Sequence, residues 1–183
     1  MDANTQIKVG SLPEVFMTPN ANVAETFHFT KALQHVRLTL TGLSVFVDQA
    51  NDYGGTKLAS FEDNNILLVG AEVNLVMTKG GAANGIISTT DVDVAGGSAV
   101  ATNATLSNTM INILPVQHST ADVLVDTIAA HSLVATPVLA GIVEGSPAVF
   151  LNVSPVGGIT ASDTVTFSGT VDIFYFNLEN VVS

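Results

Sequence analysis

The side chains with the widest catalytic use in this chain are its four histidines, His28, His35, His118 and His131. None of them stands in an HxxxH or HxH spacing, which would bring two imidazoles to one face of a helix or strand. The chain has no cysteine, and it has no serine in the GxSxG turn that exposes a hydrolase nucleophile. Histidine-based metal binding, thiolate chemistry and a serine nucleophile are therefore not expected.

Carboxylates form two groups that could bind calcium. One group surrounds a glycine-rich loop and the other is an alternating pair; their members are Asp48, Asp52, Glu62 and Asp63, and then Asp91 and Asp93. The EF-hand spacing of converging oxygen ligands is absent, so a structural cation is a minor alternative. Asp91 and Asp93 are predicted to share one strand face as a solvated acidic edge. A GxxxxGK phosphate loop is also missing, and we expect a protein without catalytic residues, metal or cofactor.

The charge balance narrows the class of partner. The chain has 183 residues with 16 acids against 5 bases, a net charge of -11, and only 11% charged residues. Phosphate backbones and anionic lipid surfaces attract clustered Lys and Arg, whereas the bases here are scattered singly. We therefore expect no nucleic-acid partner and no membrane partner. Because so few residues are charged, Thr, Ser and Asn must supply most of the polar surface.

The elements that must position these side chains follow a period of two. Val36, Leu38 and Leu40 alternate with polar residues, and after Gly42 the apolar phase reverses. A phase reversal at a glycine predicts a β-bulge or a bend between sheets. Further strands are predicted over 67–77, 86–94, 111–116, 123–129, 149–153 and 164–175.

Turn-forming clusters separate these strands, and they include 51–55, 79–81, 96–97, 144–147 and 155–158. Only 98–110 is weakly helical, with one or two turns expected. Many short alternating strands without a long helix predict an all-β fold, an antiparallel β-sandwich of about eight strands with a jelly roll as the preferred topology.

Residues 1–26 are predicted to form an N-terminal arm, and 27–183 the β-sandwich domain. The arm is polar, but it carries sparse apolar anchors at Ile7, Val9, Leu12, Val15 and Phe16. Two interpretations stay open at this point, because such a segment can lie on its own domain or dock on a neighbouring molecule. If it docks, these five side chains are the predicted contacts with the neighbouring molecule.

A carbohydrate-binding module is an alternative function for a β-sandwich, since such modules stack sugars on exposed aromatic rings. The chain has no Trp and only 2 Tyr. Tyr53, in a loop, and Tyr175, near the C-terminus, are too few for a stacking platform. The glycan-binding interpretation is therefore secondary.

Several short segments carry a family resemblance. They are the sequences KVGSLP at 8–13, DYGGTKL at 52–58, ATNATL at 101–106 and TFSGTV at 166–171. With these segments, the acidic, Thr- and Val-rich chain resembles the decoration, or cement, proteins of tailed-bacteriophage heads.

The resemblance implies a jelly roll that assembles as a dimer or trimer on the outer surface of a virion. There it would bind the major capsid protein and stabilise the shell, and the family has no catalytic residues to carry over. Another virion component, such as a tail or fibre protein, is the alternative within the same class.

Overall fold

The computed structural model describes residues 17–19, 23–29, 34–61, 66–120, 122–140 and 148–177. Its strands are β1 (Met17–Pro19), β2 (Val23–Phe29), β3 (Gln34–Val47), β4 (Gly54–Phe61), β5 (Ile66–Thr78), β6 (Val92–Gly97), β7 (Leu114–His118), β8 (Val125–Ala140), β9 (Ala148–Pro155) and β10 (Asp163–Asn177). A single turn of 3-10 helix, Asn108–Met110, precedes β7. None of the described helical residues forms a span long and apolar enough to cross a membrane.

The strands form two antiparallel sheets packed face to face. The first sheet has the order β1-β4-β9-β6-β7, and the second has the order β2-β3-β10-β5-β8. Without β1 and β2, the chain from β3 to β10 builds two four-stranded sheets, β4-β9-β6-β7 and β3-β10-β5-β8. This order is the jelly-roll topology of two interlocked Greek keys. The predicted all-β sandwich is therefore confirmed.

The phase reversal at Gly42 is a β-bulge. In the pairing of β3 with β10, Phe167 lies opposite Leu43 and Gly169 opposite Leu40, so two residues of β3 face Ser168 alone. Gly42 has a φ of 62°, a backbone conformation that is unfavourable for residues with a side chain. Its N–H donates to Ser168 Oγ at 2.9 Å. The bulge lets Leu40 and Leu43 both point inward.

The core lies between the two sheets and is built from their alternating inner faces. In β3 the buried and exposed positions alternate on both sides of the bulge. The aromatic rings of Phe61 and Tyr175 meet edge to face across the core, with centroids 5.2 Å apart. Burial of apolar surface between the sheets is the main stabilising term, as in other sandwiches.

Some strand boundaries differ from the expectation. The pattern did not predict β4, because Leu58 is an extra residue between paired Lys57 and Ala59, and this bulge buries Leu58 and Ala59 in succession. Of the predicted strand 86–94, only the end from Val92 is in a strand, and β6 continues to Gly97. The segment 98–110 is mainly irregular.

β1 and the start of β2 fall inside the segment 1–26 that we expected to be an arm. β1 pairs with β4, and β2 pairs with β3. The five apolar anchors of the arm lie outside the described residues. Their capsid or inter-subunit contacts therefore stay a prediction.

Candidate functional site

The outer face of the first sheet is covered by the chain itself. The segment between β6 and β7, residues 98–113, folds over it and forms a second small apolar cluster from Ala95, Ala101, Leu106 and Met110. Gly97 lies beneath this segment, where a Cβ would be 2.3 Å from Thr109 O. We call residues 98–113 the covering loop.

Asn152 of β9 holds the covering loop in place. Its fully buried side chain accepts a hydrogen bond from Ala101 N at 2.8 Å and donates to Ala99 O at 3.0 Å and Met110 O at 2.8 Å. One amide thus satisfies three backbone groups of the covering loop, and those of Ala101 and Met110 are buried. Two strand residues further on, Ser154 Oγ donates to Ala104 O at 2.6 Å.

The outer face of the second sheet has no comparable cover among the described residues. Its outward side chains come from β3, β5, β8 and β10 and form in-register rows, such as Thr39, Thr170, Asn74 and Ala129. The next row of the same face is charged and consists of Arg37, Asp172 and Glu72. We call the part of the face from the Thr39 row onward the hydroxyl-rich face, and it comprises Thr39, Thr41, Ser44, Phe46, Asn74, Val76, Thr78, Val125, Thr127, Ala129, Thr164, Thr166, Ser168 and Thr170.

No residue of the hydroxyl-rich face carries a formal charge. It includes three of the large apolar side chains that the structure exposes: Phe46 is 60% exposed, Val125 55% and Val76 44%. In a protein of net charge -11, an uncharged sheet face of this composition can bind another surface through hydrogen bonds and apolar contacts.

A charged cluster borders this face at the end where β3 begins. Arg37 donates to Asp172 from Nε at 2.8 Å and from its terminal nitrogen at 3.0 Å, and His35 Nε2 lies 2.5 Å from the same carboxylate. The His35 ring also stacks on Phe174. Burial alone raises the pKa of Asp172, but hydrogen bonds from Arg37 and His35 and their charges outweigh it, so the pKa lies below its usual value.

We expect the Asp172 cluster to make folding stability depend on acid pH. Since the pKa of Asp172 is lowered in the folded state from an ordinary value of 3.8, its contribution is present above about pH 4 and is lost as pH falls below that value. Urea unfolding of the wild type and of Asp172→Asn at pH 7 and pH 3 measures this. The difference between the two proteins should be large at pH 7 and should shrink at pH 3.

Asp93→Asn is the matched control for Asp172→Asn. Asp93 also contacts a histidine, His118, at 2.6 Å, but that histidine side chain is 75% exposed. Water screens such an exposed pair, so Asp93→Asn should change the unfolding free energy little at either pH. Equal effects of the two variants would contradict the role assigned to Asp172.

Three carboxylates of the two predicted calcium groups, those of Asp48, Asp52 and Asp93, have structural partners. Asp48 binds within its loop by accepting from Ala50 N at 3.1 Å, and Asp52 accepts from Ile159 N at 2.8 Å. Glu62 and Asp63 lie outside the described residues. Within the described ranges, no three metal-ligating side chains come together.

The expected acidic edge at Asp91 and Asp93 is wrong. Asp91 precedes β6 and is not in a strand, and β6 lies between β9 and β7 rather than at the edge of its sheet. β7 pairs with the outer side of β6 and forms the edge of the sheet, and the local alternation of residues does not reveal such pairing. Instead, Asp93 and Asp52 line one shallow cleft of about 310 Å³ together with Ser154 and the turn 156–158.

The two tyrosines are not available as a sugar-stacking platform. Tyr175 is completely buried in the core, and Tyr53 packs against the cluster under the covering loop. Of the described aromatic side chains, Phe46 alone is largely exposed.

Sequence reasoning missed the residues that organise the loops. Lys79, read as an isolated base, is buried and donates to Thr90 O at 2.7 Å and Ser88 O at 3.2 Å. Asp163 accepts from Ala82 N at 3.1 Å and Ile86 N at 2.9 Å. The only signal was the neighbouring Gly80, whose Cβ would collide with the Asp163 carboxylate. Asn152 gave no signal, because its partners are 42 to 53 residues away.

Comparison with known proteins finds likeness in shape but not in sequence. No protein-family model matches the chain, and no curated protein is similar to it in sequence. Among solved structures, a CBM4 structure is 10% identical with a TM-score of 0.38, over 83% of this chain and 91% of that one. The capsid asymmetric unit of cyanophage Pam1 is 12% identical with a TM-score of 0.35, over 97% and 99% of the two chains.

A structure of infectious bursal disease virus, Gt strain, is also similar in shape, at 10% identity and a TM-score of 0.28, over 91% of this chain and 34% of that one. The viral and carbohydrate-binding structures are all distant from this chain.

Proposed function

We propose that this protein is a non-enzymatic structural protein of a virion, which binds the outside of a bacteriophage capsid through its hydroxyl-rich face and stabilises the shell. The partner in this proposal is the major capsid protein, and neither nucleic acid nor membrane takes part. The observation that carries the proposal is the contrast between the two outer faces of the sandwich. One is sealed by the covering loop, and the other is broad and open, and it is uncharged except for the row of Arg37, Asp172 and Glu72 at one end.

Each property of the open face suits binding to a repeating protein lattice. Main-chain pairing across β3, β10, β5 and β8 keeps the face rigid, so little conformational entropy is lost when it binds. Its hydroxyl groups can donate and accept hydrogen bonds, and Phe46 and Val76 add apolar contact. A protein that binds the assembled shell but not free subunits stabilises the shell by mass action.

The absence of charge on the face also explains how an acidic protein could bind a shell without basic partners. Ionic attachment would weaken with added salt, because the screening length falls to about 3 Å at 1 M salt. Attachment through hydroxyl and apolar groups should persist. Binding in 1 M NaCl therefore separates this surface from an ionic one.

A charge introduced on the hydroxyl-rich face should weaken binding to capsids. Ser44 is exposed on this face, and Ser44→Arg would bury an unpaired guanidinium at the contact, which should reduce affinity at least tenfold. Co-sedimentation with heads that lack the protein, assembled from the major capsid protein of the same phage, measures the affinity in 0.15 M and 1 M NaCl.

The matched control is Thr105→Arg, which adds the same charge at an exposed position of the covering loop. It should bind as the wild type does. Equal loss in both variants, wild-type binding by Ser44→Arg, or loss of wild-type binding in 1 M NaCl would contradict the proposal. A glycan-binding module would instead bind an immobilised polysaccharide and would not bind the capsid heads.

A further inference from the structure

The edges of the two sheets differ in how well they are protected against pairing with another chain. In the first sheet, β1 is three residues long and ends in Pro19, and β7 is five residues long and contains Pro115. In the second sheet, β2 carries Glu25. Short length, proline and charge are the usual means by which proteins block edge-to-edge association.

β8, the other edge of the second sheet, is the longest of the four edges. It is 16 residues long, and the described residues provide no strand on its outer side. Its one charged residue, Asp126, accepts hydrogen bonds from Thr127 N at 2.7 Å and from Thr120 N, so its own chain binds the carboxylate, and from Thr127 to Ala140 the strand contains no Asp, Glu, Lys or Arg. Pro137 comes after the regular part of the strand, in which the nine residues 125–133 pair without interruption with 70–78 of β5.

Exposed apolar side chains collect at the same edge. Leu124 is 46% exposed and Val125 55% exposed, and Val76, also exposed, lies beside Thr127 in the ladder. Apolar groups next to an unpaired strand edge favour burial by a partner.

We infer that the β8 edge binds a second copy of this chain, strand against antiparallel strand, with the two-fold axis at Ala129. Ala129 is the midpoint of the regular stretch 125–133, so this register pairs the stretch with itself along its whole length. A second copy fits this edge because the register places Asp126 opposite Ser132, so no two carboxylates of the acidic chains face each other across the strand pair.

The geometry of this pairing gives it a consequence for binding. Antiparallel pairing about an axis perpendicular to the sheet joins the two second sheets into one, with both hydroxyl-rich faces on the same side. A single face, about 14 Å across four strands and about 24 Å along them, is smaller than the roughly 800 Å² per partner of a standard interface. Two coplanar faces would bind a capsid at the same time and so gain avidity. This step rests on the proposed function.

A cysteine at the axis tests the pairing directly, because the chain has no other cysteine. Residues directly opposite in an antiparallel pair have Cα atoms about 4.5 to 5.5 Å apart, within the range that a disulfide spans. Ala129 is exposed. Under mild oxidation at micromolar concentration, Ala129→Cys should form covalent dimers at least tenfold faster than Thr105→Cys, which has an equally exposed thiol on the covering loop.

Sedimentation of the uncrosslinked protein provides the second measurement. The wild type and Thr105→Lys should be dimeric at micromolar concentration, and Ala129→Lys, which places two like charges at the axis, should be monomeric with an unchanged circular dichroism spectrum. A wild-type monomer, a trimer, or equal crosslinking of the two cysteine variants would overturn the inference. A monomer that binds heads refutes the dimer alone, and a dimer that ignores heads refutes the capsid function alone.

Discussion

Replacing Gly169 by alanine is expected to lower the free energy of unfolding by roughly 3 kcal/mol or more, enough to leave much of the protein unfolded. Gly169 lies in the middle of β10 with a φ of 132°, a conformation that residues with a side chain rarely adopt. A Cβ there would lie 2.2 Å from Asn74 O, in the neighbouring strand β5. Because that oxygen belongs to the backbone of a central strand, it cannot move aside without breaking the ladder.

Gly157→Ala separates the two causes of this effect. Gly157 also has a positive φ, 88°, but a Cβ there meets nothing within 4 Å. Gly157→Ala should lower the free energy of unfolding by about 1 to 2 kcal/mol, because only the cost of the unfavourable backbone conformation applies there. Urea unfolding measures both variants, and soluble expression reports the case in which Gly169→Ala does not fold. If Gly169→Ala were no less stable than Gly157→Ala, the close approach of β5 and β10 would be refuted.

Replacing Asn152 by alanine is expected to lower the free energy of unfolding by about 3 kcal/mol or more. The substitution leaves Ala101 N, Ala99 O and Met110 O without the partners they have now, and each unsatisfied buried group costs about 1 to 3 kcal/mol. The covering loop should then open, so limited proteolysis should cut within 98–113 and the amide of Ala101 should exchange faster with solvent.

Asn112→Ala is the control for Asn152→Ala. Asn112 belongs to the covering loop and accepts a hydrogen bond from Ser98 N at 2.9 Å, but its side chain is only partly buried and its contact is local. Its loss should lower the free energy of unfolding by about 1 kcal/mol and leave the loop resistant to protease. If both variants were cut at the same rate, Asn152 would not be the residue that holds the loop.

Gly169 and Asn152 together explain why the two outer faces of the sandwich differ. Gly169 lets β10 and β5 pair without interruption at this point, so the second sheet is continuous and Thr166, Ser168 and Thr170 lie on its outer face. Asn152 draws the covering loop onto the first sheet. The open face is therefore produced by backbone pairing, and the sealed face by one buried side chain.

Much of the fold was predictable because it depends on local patterns. The alternation in β3, β5 and β10 repeats every two residues, which only a half-buried strand satisfies. The phase reversal at Gly42 predicted the bulge correctly. The pattern failed where a strand does not alternate, as in β4, where the bulge at Leu58 buries successive residues.

The candidate site was less predictable. The scarcity of charge predicted that Thr, Ser and Asn supply most of the polar surface, and these residue types make up most of the hydroxyl-rich face. Its position was not predictable, since Thr39, Asn74 and Thr170 become neighbours only through pairing of strands far apart in the chain.

The sequence by itself determined the all-β class, the strands with regular alternation and the scarcity of charge, because these follow from composition and from contacts within a few residues. Only the tertiary structure decided that Asp172 binds Arg37 and His35, that Asn152 fastens the covering loop, and that β8 lies at the edge of the second sheet. Each of these depends on strand order, and strand order is set by contacts between residues up to 141 positions apart, as in the pairing of Gln34 with Tyr175, which no local pattern contains.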